Sequence, residues 1–262
     1  MYTGDKYVDA ESFLDRLAKE QENGEEKLVK SKQRVKDAGE VFTPSWVVRD
    51  MLDLDEIKNM SFELDTTFLE PACGNGNFII QILVRKLMSV SAEAFDIDVA
   101  RSVASIYGVD IAEDNVKETR ARMMNAIKRF YNENGVELRR EIECSLWYIM
   151  YRNIILGNTL DGQKHAENYG DAELIESKAY TNAKLAKRAR DTGSIYIVDM
   201  RASSDLLVSE WKFMEDGVHR SEYTLKGMSH GNDSSVLHEY SAVPFCKLYN
   251  VKDKTLDFDD YA

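Results

Sequence analysis

The stretch "TTFLEPACGNGNFIIQILVRKL", residues 66–87, decides the fold. Its opening "TTFLE" is β-branched and aromatic and predicts a short buried strand over residues 66–70. The turn "ACGNGN" contains Gly74 and Gly76, which let the backbone turn tightly and approach a ligand. A helix is predicted over residues 78–88. Its inward positions are Ile79, Ile82, Leu83 and Leu87.

The same alternation of strand and helix continues along the chain. "SIYGVDI" (105–111) predicts a strand that ends at Asp110, and residues 112–135 predict a helix that stops at Gly135. Its buried face is formed by Val116, Met123, Ile127 and Phe130. "NIILGNTLDG" (153–162) predicts a strand and its loop.

Later segments complete the pattern. Residues 178–193 predict a basic helix, "SIYIVDM" (194–200) predicts another strand, and residues 205–227 predict a hairpin around Asp216-Gly217. We therefore expect an α/β fold with a mostly parallel sheet, helices on both faces and a C-terminal antiparallel hairpin. Ligands on such sheets bind at the carboxyl ends of the strands.

Composition limits the class of protein. The chain is 44% hydrophobic and 31% charged, as in soluble globular proteins, and has no apolar run near the ~20 residues of a membrane span. The amino terminus lacks a signal-peptide pattern, and three widely spaced cysteines indicate neither disulfides nor a metal site. Four histidines also lack metal-ligand spacing. We expect a cytoplasmic protein with no membrane or metal partner.

The net charge of −12 argues against a surface that only coats nucleic acid. It remains compatible with a local basic groove, or with DNA contact through a partner. The basic segment holding Lys184, Lys187, Arg188 and Arg190 either contacts phosphates or forms a solvated helix face.

The glycine turn matches neither common nucleotide-binding motif. The third residue after Gly76 is Ile79, so the dinucleotide fingerprint G-x-G-x-x-G is broken, and there is no Walker A loop. A glycine-rich structural turn is the alternative that the residues leave open.

Two stretches of the sequence assign the turn to a specific class of ligand-binding loop. "FLEPACGNGNF" (68–78) resembles the S-adenosylmethionine (SAM) loop of N6-adenine-specific DNA methyltransferases. "GEVFTPSWVVRDM" (39–51) is similar to that family's amino-terminal motif, which flanks the methionine end of SAM.

Two more motifs follow in the order that the family has. "YGVDI" puts Asp110 where the family has the acid that binds the ribose hydroxyls, and "NIILGNTL" puts Asn158 where the family contacts the adenine. The resemblance implies SAM as cofactor and a Rossmann-like methyltransferase fold. The cofactor-binding residues it implies are Phe42, Thr43, Glu70, Pro71, Ala72, Cys73, Gly74, Gly76, Phe78, Asp110, Ile111 and Asn158.

Each polar candidate has a structural alternative. Asp110 and Thr43 are also suited to cap helices, with Pro44 as first helical residue after Thr43. Glu70 either faces the sulfonium or ammonium of SAM or orients the turn. Asn158 is also a turn residue. Phe42 lines the methionine pocket or simply packs.

The resemblance does not extend to catalysis. The family's (Asn/Asp/Ser)-Pro-Pro-aromatic loop, which holds a flipped base, is absent, because Pro44, Pro71 and Pro244 are all isolated. The positional substitute is Asp199, as catalytic acid or as loop acid. Glu210 and Trp211 also pair an acid with an aromatic ring, but a structural role inside a predicted strand is favoured.

These motifs predict a SAM-dependent N6-adenine-type DNA methyltransferase, or the modification subunit of a restriction–modification system. Its partners would be DNA and a specificity or endonuclease subunit. The alternative is a non-catalytic SAM-binding subunit in assembly, regulation or phage defence; methyl transfer to a protein or small molecule is a weaker third. The predicted domains are a helical extension (1–40) and one methyltransferase-like domain (41–262) with a reduced C-terminal part.

Overall fold

The computed structural model describes residues 5–19, 28–160, 162–164, 206–225 and 236–250. The chain is mixed α/β and divides into two compact units, residues 1–138 and 139–262. The predicted separation of residues 1–40 as an extension stays a prediction.

The first unit contains seven α-helices and two strands within its described residues. The helices are α1 (Lys6–Lys19), α2 (Lys32–Ala38), α3 (Ser45–Leu52), α4 (Asp55–Lys58), α5 (Asn77–Leu87), α6 (Phe95–Ala104) and α7 (Glu113–Glu133), with a 3-10 turn at Met60–Phe62. The strands are β1 (Phe68–Glu70) and β2 (Ile106–Asp110).

The two strands pair in parallel. Phe68 lies opposite Ile106 and Glu70 lies opposite Gly108. The carboxyl ends of both strands therefore meet at one edge, where the glycine turn and Asp110 follow. β2 is buried along its whole length, as a central strand requires.

The prediction that residues 66–70 form a buried strand is wrong in two respects. β1 has three residues, and Leu69 is 46% exposed. Among the described residues of the first unit, β2 is the only strand that pairs with β1, so one edge of β1 lacks a neighbour that would cover it.

Helix α5 is the centre of the first unit, and its predicted inward residues Ile79, Ile82, Leu83 and Leu87 are all buried. It contacts α1, α3, α6 and α7. Because α5 is buried on all sides, Arg85 and Lys86 are buried as well, although the apolar pattern of the sequence does not include them among the inward positions. Arg85 donates to the Leu52 carbonyl and to the Asp53 carboxylate, and Lys86 Nζ donates to the Thr66 carbonyl at 2.7 Å. The donor groups of both side chains are thus hydrogen-bonded inside the core, and burial lowers the pKa of Lys86 to about 7.

Helix α7 is confirmed, with Val116, Met123, Ile127 and Phe130 buried and Gly135 in the left-handed region at φ +68°. Phe130 stacks on Phe95 at 5.3 Å and meets the ring edge of Phe13 at 6.4 Å. Because Phe13 is fully buried, α1 is part of the core of this unit and is more than a surface helix.

The second unit begins with a helix that the sequence analysis did not predict. It contains α8 (Arg140–Asn153), β3 (Ile154–Asn158), β4 (Gln163–Lys164), β5 (Leu207–Met214), β6 (Gly217–Thr224), β7 (His238–Val243) and a 3-10 turn at Phe245–Asn250. β3 and β4 pair antiparallel, and β5, β6 and β7 form an antiparallel sheet in that order. The predicted hairpin is confirmed, and β7 adds a third strand to it.

A buried arginine joins the antiparallel sheet to α8. The Arg220 guanidinium lies 3.7 Å from the Tyr240 ring centroid and donates to Tyr148 Oη at 2.8 Å. Trp211 packs edge-on against Tyr148 and donates to Asn153 Oδ1 at 2.9 Å. Trp211 is thus a packing residue of the hairpin, as predicted, and Glu210 accepts from Tyr223 Oη at 3.0 Å.

Three predictions lie outside the described residues: the basic helix at 178–193, the strand at 194–200 and Asp199. None of the helices in the described part of the chain is long and apolar enough to cross a membrane.

Candidate functional site

The glycine turn between β1 and α5 adopts a backbone that favours glycine at two positions. Gly74 has φ +53° and Gly76 has φ +89°. A Cβ on Gly74 would lie 3.0 Å from the Phe42 ring, and one on Gly76 would lie 2.8 Å from Thr119 Cγ2 and Oγ1. Both glycines are therefore required by backbone conformation and by packing of this chain, whether or not a ligand binds.

Asp110 connects the ends of the two parallel strands. Its Oδ2 accepts from the N–H of Gly74 at 2.8 Å, and its Oδ1 accepts from the N–H of Ala112 at 2.8 Å. Ala112 is the N-cap residue of α7, so Asp110 also supports the start of that helix. The side chain is 9% exposed. The acid that the sequence singled out and the glycine turn thus lie in direct contact.

A second carboxylate, Glu40, belongs to the same cluster through Asn115. Asn115 Nδ2 donates to Asp110 Oδ1 at 3.1 Å and to Glu40 Oε2 at 3.3 Å. Arg34 Nε also donates to Glu40 Oε2, at 2.9 Å. Two acceptors in this cluster, Glu40 Oε1 and Asn115 Oδ1, are buried without a hydrogen-bond partner. Each costs about 1–3 kcal/mol while it lacks a donor.

Side chains from α7 hold the carbonyls of the turn. Thr119 Oγ1 donates to the Gly74 carbonyl at 3.1 Å, and Arg122 Nη1 donates to the Asn75 carbonyl at 2.5 Å and to Asn77 Oδ1 at 2.9 Å. Neither Thr119 nor Arg122 belongs to the motifs in the sequence. Their spacing on one face of α7, at i and i+3, is the only signal that could have found them.

We expect Arg122→Met to loosen the turn. The substitution keeps the length and apolar stem of the side chain but removes both donors, so the Asn75 carbonyl loses its partner. The free energy of unfolding should fall by about 1–2 kcal/mol in urea titrations. Arg49→Met is a matched control, since Arg49 is exposed on α3. Equal effects of the two substitutions would show that Arg122 does not support the turn.

Phe42 and Thr43, which precede α3, contact the glycine turn, but Thr43 does not cap the helix as predicted. Phe42 is 5% exposed and packs on Gly74, which favours the packing alternative. The predicted cap is wrong: α3 begins at Ser45, Pro44 is its N-cap residue, and no side chain caps it. The Thr43 carbonyl instead accepts from Asn77 Nδ2 at 2.8 Å, which ties this segment to the start of α5.

Glu70 is half-buried and only loosely held by the turn. Its Oε1 lies 3.5 Å from the N–H of Ala72, at the limit of a hydrogen bond. Burial raises the pKa of the Glu70 carboxyl above its usual value, and the Ala72 N–H lowers it in part. Pro71, Ala72 and Ile111 are exposed and form the outer rim of the site.

Cys73 lies beneath this rim. It is 6% exposed, and its Sγ would lie 3.2 Å from a Cβ on Gly108. Burial raises the pKa of the thiol, and the charges of Asp110 and Glu70 raise it further, so Cys73 is a neutral packing residue. Phe78, in the first turn of α5, is half-buried.

The remaining candidates lie in the second unit or outside the described residues. Asn158 ends β3, and its Oδ1 accepts from the N–H of Leu160 at 3.0 Å, as expected of the turn alternative. Asp199 lies among the residues that the structure does not describe.

An ion-pair network borders the cluster on the amino-terminal side. Lys30 Nζ and Arg34 Nη1 both contact Asp114 Oδ2, at 2.8 and 2.6 Å. Although burial raises the pKa of Asp114, the hydrogen bonds from Arg34 and Lys30 outweigh it and hold that pKa at about 2. This network connects α2 to the first turn of α7. No group of three His, Cys, Asp or Glu in the described ranges could hold a metal ion.

Comparison with protein-family models, with curated proteins and with solved structures finds no significant match to this chain.

Proposed function

We propose that the chain binds SAM at the carboxyl ends of β1 and β2, within a Rossmann-like methyltransferase fold. One observation carries this proposal: the Asp110 carboxylate accepts a hydrogen bond from the N–H of Gly74 in the glycine turn. An acid at the end of one parallel strand thereby lies beside the turn that follows its neighbour, the edge at which α/β sheets bind ligands.

The residues present fit the chemistry of SAM. The ligand carries a sulfonium, an ammonium and two ribose hydroxyls, all of which are cationic or donate hydrogen bonds. The cluster supplies acceptors and negative charge through the carboxylates of Asp110, Glu40 and Glu70. Charge-assisted hydrogen bonds to such carboxylates are stronger than neutral ones.

We propose as activity the N6-adenine-type methylation of DNA, by this chain alone or as the modification subunit of a restriction–modification system. Bound SAM supplies an electrophilic methyl group. The residues of this chain bind and orient the cofactor, with Asp110 as the acceptor for its ribose and Glu70 as an acid near its cationic end. Orientation of this kind lowers the entropic part of the barrier.

A non-catalytic SAM-binding subunit is the second candidate, and a sequence observation favours it. The three prolines of the chain are Pro44, Pro71 and Pro244, so the Pro-Pro loop that holds the target adenine in the family is missing. In this case the fold would serve assembly, regulation or phage defence.

Two measurements on the full chain test the proposal. We expect calorimetric titration to detect SAM binding with one site per chain, and tritiated SAM to label unmethylated DNA. Heat of binding without transfer, both for the chain alone and with host lysate added, selects the non-catalytic subunit. The absence of SAM binding would overturn both candidates.

A further inference from the structure

We propose that the Asn115 side chain is a placeholder, which lies between Glu40 and Asp110 at the position that a hydroxyl of the bound ligand takes. This inference rests on the proposed SAM site and adds a residue that the motifs do not contain. It concerns the amide that bridges the buried carboxylate of Asp110 and the partly buried carboxylate of Glu40.

The geometry around Asn115 is that of a shared and weakly held donor. A single NH2 group reaches both carboxylates, at 3.1 Å to Asp110 and 3.3 Å to Glu40. Both distances exceed the usual N–H···O distance of about 2.9 Å. Asn115 is 1% exposed, so the amide itself is shielded from bulk water.

The arrangement leaves two acceptors unsatisfied. Asn115 Oδ1 and Glu40 Oε1 are buried and have no hydrogen-bond partner. Rotating the amide by half a turn would not help, since its oxygen would then face two carboxylates. Among the protein groups of the cluster there are therefore more acceptors than donors, and a group rich in donors would correct that excess.

Each carboxylate has a second anchor that does not depend on Asn115. Asp110 keeps the N–H groups of Gly74 and Ala112, and Glu40 keeps Arg34. The acids therefore stay in place when the amide moves. The Asn115 side chain is short and lies in the first turn of α7, where few hydrogen bonds hold it.

A ribose diol fits the vacated position. Its hydroxyls form O–H···O⁻ bonds that are shorter and stronger than the amide contacts they replace. The cost of moving the Asn115 amide is subtracted from the binding free energy of the ligand.

Removing the placeholder should tighten binding. We expect Asn115→Ala to lower the dissociation constant for SAM by about fivefold, because no side chain must be displaced. The ligand-free thermal midpoint should fall, because the carboxylates lose their shared donor. The rise in that midpoint with saturating SAM should exceed that of the unchanged chain.

The probe for the diol is a pair of nucleosides. Competition of adenosine and 2′-deoxyadenosine against SAM measures how much the 2′-hydroxyl contributes, and we expect their affinity ratio to increase in Asn115→Ala. Asn132→Ala is the matched control, since Asn132 is exposed near the far end of the same helix. It should leave affinity, nucleoside ratio and midpoint unchanged.

Every outcome decides the inference. If Asn115→Ala binds SAM more weakly, Asn115 is a direct ligand contact. If the SAM affinity and the nucleoside ratio are unchanged and only the thermal midpoint falls, the role of Asn115 is purely structural. Either result overturns the placeholder. If the unchanged chain does not bind SAM, the proposed function itself fails, which is a separate result. Should Asn115→Ala not fold, Asn115→Ser keeps one small donor and supports the same comparison.

Discussion

Asp110→Ala is expected to abolish SAM binding and to lower the free energy of unfolding by about 3–4 kcal/mol. The substitution removes both carboxylate oxygens, so the N–H groups of Gly74 and Ala112 lose their acceptor and the Asn115 amide keeps only Glu40. Each buried donor left without an acceptor costs about 1–3 kcal/mol. Urea titration measures the loss of stability, and calorimetry measures the loss of binding.

Two further variants separate the roles of Asp110. Asp110→Asn retains a single acceptor oxygen, so it cannot serve both Gly74 and Ala112 and should lose about half as much stability as the alanine variant. Asp50→Ala is the control, because Asp50 is exposed on α3 and its replacement should change stability by less than about 0.5 kcal/mol. Undiminished SAM affinity in Asp110→Ala would remove this residue from the site.

Gly76→Ala is expected to destabilise the first unit by about 3 kcal/mol. Alanine at φ +89° is strained, and its Cβ would meet Thr119 Cγ2 and Oγ1 at 2.8 Å. Relief of this clash displaces Thr119 from the Gly74 carbonyl, so SAM affinity should fall with stability. Thermal and urea unfolding of the purified variant measure the effect.

Gly135→Ala distinguishes the clash from the strain. Gly135 has φ +68°, but no atom lies within 4 Å of a Cβ at that position. This variant should lose only the strain energy, about 1 kcal/mol. In Gly76→Ala/Thr119→Ala the two 2.8 Å contacts are absent and only the 3.2 Å contact with the Cβ of residue 119 remains, so the double variant should be more stable than the sum of the single changes predicts. Strict additivity would contradict the packing argument.

Several elements of this fold were predicted correctly from local sequence patterns. Helices α5 and α7 have apolar residues at helical spacing, and both formed within one or two residues of their predicted ends. The hairpin formed at Asp216-Gly217, where Gly217 has φ +135°. Patterns of this kind depend on neighbours along the chain, which the sequence displays directly.

Where local rules failed, distant residues were responsible. The side chain of Leu69 in β1 is exposed although it is apolar, because its burial depends on which elements pack against that face of the strand. Pro44 is the N-cap residue of α3, and the carbonyl of Thr43 accepts a hydrogen bond from Asn77 on another helix. Helix α8 carries buried residues on most of its surface and so lacks the clear polar face that predicts a helix.

For the candidate site, the sequence by itself determined the glycine turn, the acid at the end of the second strand and their order along the chain. The tertiary structure decided what they contact. Asp110 reaches Gly74 across 36 residues, and Asn115 joins Glu40 across 75. Such contacts arise only when α5 and α7 pack together and bring the ends of β1 and β2 to one edge, since hydrogen bonds require atoms within about 3 Å.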